Sequence, residues 1–277
     1  MKITKLHITN FKFFSDLTIQ NISPLAEIVM LVGPNGTGKS CIFDALNYFA
    51  YISKRNSNPN DDEYYKRDQN LPITVQLIDE NESEISMPSF EHRNINFYGR
   101  SSYRFTSKIQ RDSISTGVAN TVIRDQDSPD NYTRLDQRIE NDIEKALGEF
   151  IQAVQAKAGK TDIEIVDEVV GKLNESLSII FSDTNLQLTR IVDPHSNPKS
   201  SSIDLEFSKN GTIFRFQNLS SGEKEIVDII FNFHRRKAAW IQDGVYYIDE
   251  PELHLNTKIQ SSLLKELHRL CKQCNAQ

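Results

Sequence analysis

Three cysteines, Cys41, Cys271 and Cys274, are all that these 277 residues contain, which excludes a disulfide framework. Cys271 and Cys274 do form a C-x-x-C. No second pair accompanies it and His268 is the one histidine close by, so partly buried helix cysteines are expected rather than a zinc site. No apolar stretch reaches the length that crosses a bilayer, and the N-terminal MKITKLHITNF interleaves charges where a signal peptide would carry an unbroken apolar core. A cytoplasmic protein with no membrane contact is the expectation. Positive charge is also in short supply: 32 Lys and Arg stand against 38 Asp and Glu, a net charge of −6. That balance implies no dominant nucleic-acid surface, while leaving room for a local basic patch. Internal repeats are absent too. The 38% apolar and 25% charged content suit one large globular domain, or one domain carrying a long insertion.

What is present begins with Gly33-Pro34-Asn35-Gly36-Thr37-Gly38-Lys39-Ser40, a complete phosphate-binding loop. It follows the apolar run Ile28–Val32 and precedes the helix-like stretch Ile42 to Tyr51. A buried strand over Glu27 to Val32 is expected to deliver the loop and a helix N-terminus to receive it, so that backbone N–H groups and the helix dipole converge on phosphates. Asn35, Gly36, Thr37, Gly38, Lys39, Ser40 and Cys41 are the candidate ATP-binding residues. Lys39 can reach the β- and γ-phosphates and has a catalytic part, and Ser40 can ligate Mg2+.

Around this loop the sequence alternates between strand and helix patterns. Ile3 to Ile8 and Leu17 to Ile19 read as antiparallel strands, and Ile73 to Ile78 as another, with Glu84 to Met87 as its partner. Ser53 to Asn70 is polar and reads as a surface excursion. Apolar residues at helical spacing between Arg134 and Val154, followed by a second helical stretch from Ile163 to Phe181, suggest a helical insertion; two ordinary core-covering helices are the alternative. Ile203 to Phe207 and Thr212 to Phe216 look like a hairpin around Asn210-Gly211.

Val245-Tyr246-Tyr247-Ile248 is an apolar strand ending in Asp249-Glu250, the arrangement of a Walker B element. Asp249 can hold the magnesium and Glu250 can orient and polarise the attacking water, the second catalytic assignment. Upstream, Leu219-Ser220-Ser221-Gly222-Glu223-Lys224 precedes Ile226, Ile229, Ile230 and Phe233 at the spacing of an amphipathic helix. Ser220 or Ser221 would cap that helix, and Gly222 would let an anion approach its end.

At this point the chain resembles the ABC-type ATPases, whose signature begins Leu-Ser-Gly-Gly; here Ser221 stands in place of the first glycine. Ile8-Thr9-Asn10-Phe11-Lys12, the Gly-Pro-Asn-Gly of the loop, the signature and Asp249-Glu250-Pro251-Glu252-Leu253-His254-Leu255 together resemble the OLD-like branch, close to ATPase subunits of the anti-phage systems PARIS, Septu and certain retrons. The resemblance covers the first fifty residues and the last sixty or so. It implies an α/β, ABC-type P-loop core: a mixed sheet with antiparallel N-terminal strands, flanking helices and a mainly helical insertion. The corresponding division is 1–130 for the first part of the core, 131–185 for the insertion and 186–277 for the signature and Walker B part, before a further strand with a switch histidine. It also implies a head-to-tail dimer in which ATP lies between the P-loop of one copy and Ser220, Ser221, Gly222 and Glu223 of the other. Gln76 is offered as the metal- and water-contacting glutamine, against an ordinary solvent-facing strand residue, and Arg100 and Arg104 as phosphate or partner contacts. The implied partners are a Toprim-type nuclease effector and a phage trigger protein. A RecF-like or SMC-like DNA clamp is the competing function, and an assembly platform with negligible turnover a third.

Overall fold

Alternating apolar residues turn Ile3–Phe11 into strand β1, which hydrogen-bonds on one side to β2 (Phe14–Ile19) and on the other to β3 (Thr74–Asp79). Both pairings are antiparallel, with Leu6 opposite Ile19 in one and Leu77 in the other. The computed structural model describes residues 2–52, 63–85, 97–100, 102, 162–192, 204–239, 244–252 and 254–277. Leu6, Ile8 and Leu77 point to one face and are buried there, the period-two pattern of a sheet with a single covered side. That cover is helix α1 (Lys39–Asn47), which continues as a π-helical turn over Tyr48–Ile52. Glu84 to Met87 pairs as expected where described: Ile85 N–H donates to the Leu77 carbonyl at 2.8 Å.

A second sheet joins β4 (Phe97–Arg100) in parallel to β8 (Val245–Ile248). Strand β8 stands between two cores. Val245 and Tyr247 bury their side chains in the core under β1, whereas Tyr246 and Ile248 pack against the other. That other core is formed by α2 (Asp162–Ile180), the antiparallel strands β5 (Gln187–Val192), β6 (Asp204–Lys209) and β7 (Thr212–Arg215), α3 (Ser221–Ala239) and α4 (Thr257–Cys274). The β6–β7 turn is the expected one, with Asn210 at φ 50 and Gly211 at φ 80, the left-handed pair that a two-residue hairpin needs. The described end of the expected insertion, α2, is thus a core-covering helix; residues 131–161 and the helix expected over 134–154 lie outside the described residues.

The helices of the second core are joined by a buried polar network. The Ser176 hydroxyl on α2 donates to Glu266 Oε1 on α4 at 2.5 Å and lies 2.8 Å from His234 Nε2 on α3, and Arg269 donates to both Glu266 oxygens at 2.6 and 2.8 Å. Cys271 and Cys274 are both buried, and burial pushes the Cys271 thiol up to about 12, so this C-x-x-C is packing rather than chemistry.

One expected element is missing. Ile28–Val32 forms no strand: the run before the P-loop carries no regular structure, and Met30 and Val32 are 63% and 86% exposed. Apolar content announces a strand but not an edge to pair with. The run is tied through Lys2 and Glu27 to the start of β1, whose two edges are already taken by β2 and β3. The surface excursion is corrected in part as well. Tyr65 is buried and stacks on Phe11 with centroids 5.3 Å apart, while Asn10 binds the Asp68 and Leu71 carbonyls.

Candidate nucleotide site

Helix α1 starts at Lys39 behind a glycine cap, Gly38 at φ 92, with no side chain bonded to its first-turn amides. Glycine is required twice at 38, because a Cβ there would also lie 2.6 Å from the Phe14 ring. Gly36, at φ 82, faces open space in which a Cβ would meet nothing within 4 Å. The Lys39 ammonium donates to the carbonyls of Gly33 at 2.7 Å and Pro34 at 2.9 Å, and the Thr37 hydroxyl also donates to Pro34. The lysine therefore sits across the mouth of its own loop, held by carbonyls that an incoming phosphate can replace. A loop with an exposed rim, uncapped helix amides and a half-buried ammonium fits a triphosphate. Asn35, Gly36, Thr37 and Ser40 are exposed, and Cys41 is half-buried on the first turn.

The Walker B strand reaches this helix through aromatic packing. Tyr247 donates its hydroxyl to Asn47 Oδ1 at 2.6 Å, its ring lies 5.2 Å from Phe43, and Gly99 on β4 makes room for it. Asp249 follows directly and its amide donates to the Arg100 carbonyl at 2.9 Å. Its charge is felt by Asp44, one helical turn beyond Ser40. Burial pushes the Asp44 carboxyl up, a tendency that Asp249 reinforces and the Lys12 ammonium, 2.6 Å away, opposes. Burial would lower the Lys12 pKa, but contact with Asp44 outweighs it and holds the ammonium above its ordinary range. Glu250 is exposed and has φ 49 ahead of Pro251, a backbone state that costs about 1–3 kcal/mol and gathers at functional sites.

Among the described residues no three Asp, Glu, His or Cys side chains cluster as a metal site. Ser40 and Asp249 carry hard oxygen donors of the type that magnesium takes, too few for a resident ion. Gln76 lies on β3 opposite His7, exposed and 3.5 Å from its Nδ1, the position of a solvent-facing strand residue.

The signature forms a second locus. Ser220 and Glu223 make a reciprocal capping box: the Ser220 amide and hydroxyl donate to Glu223 Oε2 at 2.8 and 2.9 Å, and the Glu223 amide donates back to the hydroxyl at 3.3 Å. Lys209 grips the other Glu223 oxygen at 2.6 Å. Burial raises the Glu223 pKa, but Lys209 and Ser220 together outweigh it and hold the carboxyl below its ordinary range. These residues border a cleft of about 250 Å3 between α3, the α2–β5 turn and the start of α4. Ser220 and Ser221 are exposed.

Two expectations need correcting. Gly222 does not open the helix end to an anion: it is buried, and a Cβ there would lie 2.8 Å from the His254 carbonyl and 3.0 Å from Leu255. Its bareness lets the signature pack against the loop after Walker B. Arg100 is no phosphate contact either, being 2% exposed and ion-paired with Asp228 in the middle of α3. Arg104 lies outside the described residues. Sequence reading missed the Lys12–Asp44 and Lys209–Glu223 pairs. Position 44 shares a helix face with Ser40, and Ser220-x-x-Glu223 spells a capping box, so spacing carried a signal for Asp44 and for Glu223, though not for their lysines.

No curated protein matches this chain. Among solved structures, the chain is similar to an SmcHead bound to the C-winged helix domain of ScpA, at 15% identity and a TM-score of 0.50 over 100% of this chain and 88% of that one. Two others are an Smc head domain with extended coiled coil bound to the C-terminal domain of ScpA derived from Pyrococcus furiosus (15% identity, TM-score 0.48, 99% and 88% covered) and the SMC head domain from Thermotoga maritima (14%, 0.45, 100% and 88%). The first of these likenesses gives the fold, an α/β ABC-type ATPase head. A family model described as an AAA ATPase domain, AAA_15, matches residues 1–163. That stretch is more than half of the chain and includes the whole P-loop, so the chain belongs to the AAA_15 family of AAA ATPase domains.

Proposed function

We propose that this chain binds and hydrolyses ATP with Mg2+ between two copies, and that the resulting cycle of closure and release gates a nuclease effector in anti-phage defence. One observation carries the two-copy reading. Ser220 is exposed on a cleft that none of the chain's own P-loop residues lines, so a triphosphate on Lys39 meets a signature serine when a second copy brings it.

The residues divide the work accordingly. Lys39 exchanges the carbonyls of Gly33 and Pro34 for phosphate oxygens, and the uncapped amides of α1 add directed donors. Ser40 and Asp249 would hold Mg2+, which neutralises charge on the β- and γ-phosphates when bound. Glu250, at the end of β8, orients the attacking water and takes its proton. Bound ATP then favours the closed pair and its loss the open one, because only the triphosphate touches both copies. The defence role and the nuclease rest on the resemblance of the four motifs to OLD-like ATPases.

Turnover and light scattering test this together. Lys39→Ala is expected to abolish nucleotide binding, whereas Glu250→Gln binds ATP, remains associated and turns over at least a hundredfold more slowly. Unchanged turnover in Glu250→Gln removes the catalytic assignment. A second reading, a DNA clamp closed by ATP, is favoured by the SMC-head fold. It requires ATP-dependent DNA binding that weakens steeply with salt, against the net charge of −6.

A further inference from the structure

Ser220 presents an electrostatic contradiction. Its hydroxyl and amide are both held by Glu223 Oε2, at 2.9 and 2.8 Å. A polyanion that approaches this serine therefore meets a carboxylate within the same few ångströms, where repulsion falls only as the inverse of distance. Glu223 cannot simply be absent, because its reciprocal bonds with Ser220 hold the first turn of α3. The ammonium of Lys209, 2.6 Å from Glu223 Oε1, is the charge that resolves the conflict.

Lys209 is held where it can do so. It is the last residue of β6, and the adjoining Asn210 amide donates to the Thr184 carbonyl at 3.0 Å, tying the hairpin tip to the α2–β5 turn that forms another wall of the cleft. Its side chain is one-third exposed, so the ammonium faces the cleft while it grips the carboxylate. On the opposite rim Lys258 pairs with Asp183, so each cation there is already matched to an acid.

We propose that Lys209 is a positioning residue of the two-copy ATP site: by neutralising Glu223 it allows the triphosphate held by another copy to approach Ser220. This rests on the two-copy reading above. Lys209 acts through Glu223 rather than on the reacting atoms, so its removal should weaken association and leave nucleotide capture by the P-loop intact.

The test uses sedimentation of the full chain with a non-hydrolysable ATP analogue, and nucleotide affinity measured at chain concentrations too low for association. Lys209→Met is expected to raise the concentration for half-association at least tenfold without changing that affinity. Lys209→Arg should behave as wild type. Glu223→Gln preserves the capping box, since Gln serves there as well as Glu, and should tighten association on its own. The double variant Lys209→Met/Glu223→Gln should return to within threefold of wild type. A merely structural lysine could show that rescue, but it would leave Glu223→Gln alone associating at the wild-type concentration rather than more tightly. Association of Lys209→Met at the wild-type concentration, or a double variant as weak as the single one, overturns the proposal while the two-copy reading stands. Should wild type itself fail to associate with the analogue, the two-copy reading fails and this inference falls with it.

Discussion

The starts of α1 and α3 solve opposite problems with the same geometry. At α1 the cap is Gly38, no side chain reaches the first-turn amides, and there is no acid in that turn. At α3 the serine and glutamate of the capping box occupy one another, and a lysine occupies the glutamate. A helix N-terminus whose first-turn amides meet no side chain can receive an anion through its backbone; one bridged by a capping box presents side-chain groups there first. On the proposed function, the first is a binding site in a single chain, while the second is a surface to be presented to something already bound. The α4 start belongs with the second, its Asn256 side chain accepting from the Ile259 amide at 3.0 Å.

The strongest way to break this division is to cut what joins the two regions. Arg100 ends β4 beside Asp249, yet its guanidinium reaches Asp228 inside α3, and both side chains are almost completely buried. Arg100→Met removes the cation from a buried carboxylate and is expected to cost about 3–5 kcal/mol. Arg100→Met/Asp228→Leu should recover most of it, as read by urea denaturation. Equal losses in the single and double variants would mean that the pair contributes packing alone.

Next in size come two glycines, which separate the regions. Gly38→Ala forces a methyl group into a left-handed backbone and against Phe14, for about 1–3 kcal/mol, and should abolish nucleotide binding. Gly222→Ala drives a Cβ into the His254 carbonyl, at a similar cost of about 1–3 kcal/mol. Its functional signature should differ: nucleotide affinity of the dilute chain preserved, association with the ATP analogue lost. If Gly222→Ala weakens nucleotide capture in the dilute chain, the division between the two helix starts is wrong.

The same division explains what could be read from the amino acids in order. The P-loop, Walker B and the signature were legible because each is a local string whose spacing defines its geometry, and the hairpin at Asn210-Gly211 and helices α2 and α3 followed from turn chemistry and periodicity. Pairings across the chain were not legible. Ile28–Val32 has every local mark of a strand but finds no free edge on β1, and Arg100 in a polar string gave no hint that Asp228, far along the chain, would bury it. Gly222 was read for what a glycine lets in, when the structure uses it for what it packs against. In each case the local conformation was available and the tertiary partner decided its use.

Acid provides the smallest and sharpest test of the comparison, because the two loci respond with opposite sign. Glu223 has a folded pKa below its value of 4.5 in an open chain, so its contribution is complete above that value and is lost as pH falls through the folded one. Asp44, on α1, has a folded pKa above 3.8; the folded chain takes up that proton first, and stability gains from it as pH falls through the interval. Denaturation midpoints measured from pH 6 downward should therefore fall less steeply in Glu223→Gln than in wild type, by at most one proton in the slope. Asp44→Asn should fall more steeply. The Glu223 effect is modest because its partner Lys209 is one-third exposed to solvent, which screens the pair. Parallel acid limbs in wild type and Glu223→Gln would mean that the Lys209 contact does not hold in solution, and the contrast between an open and a closed helix start would lose its electrostatic half.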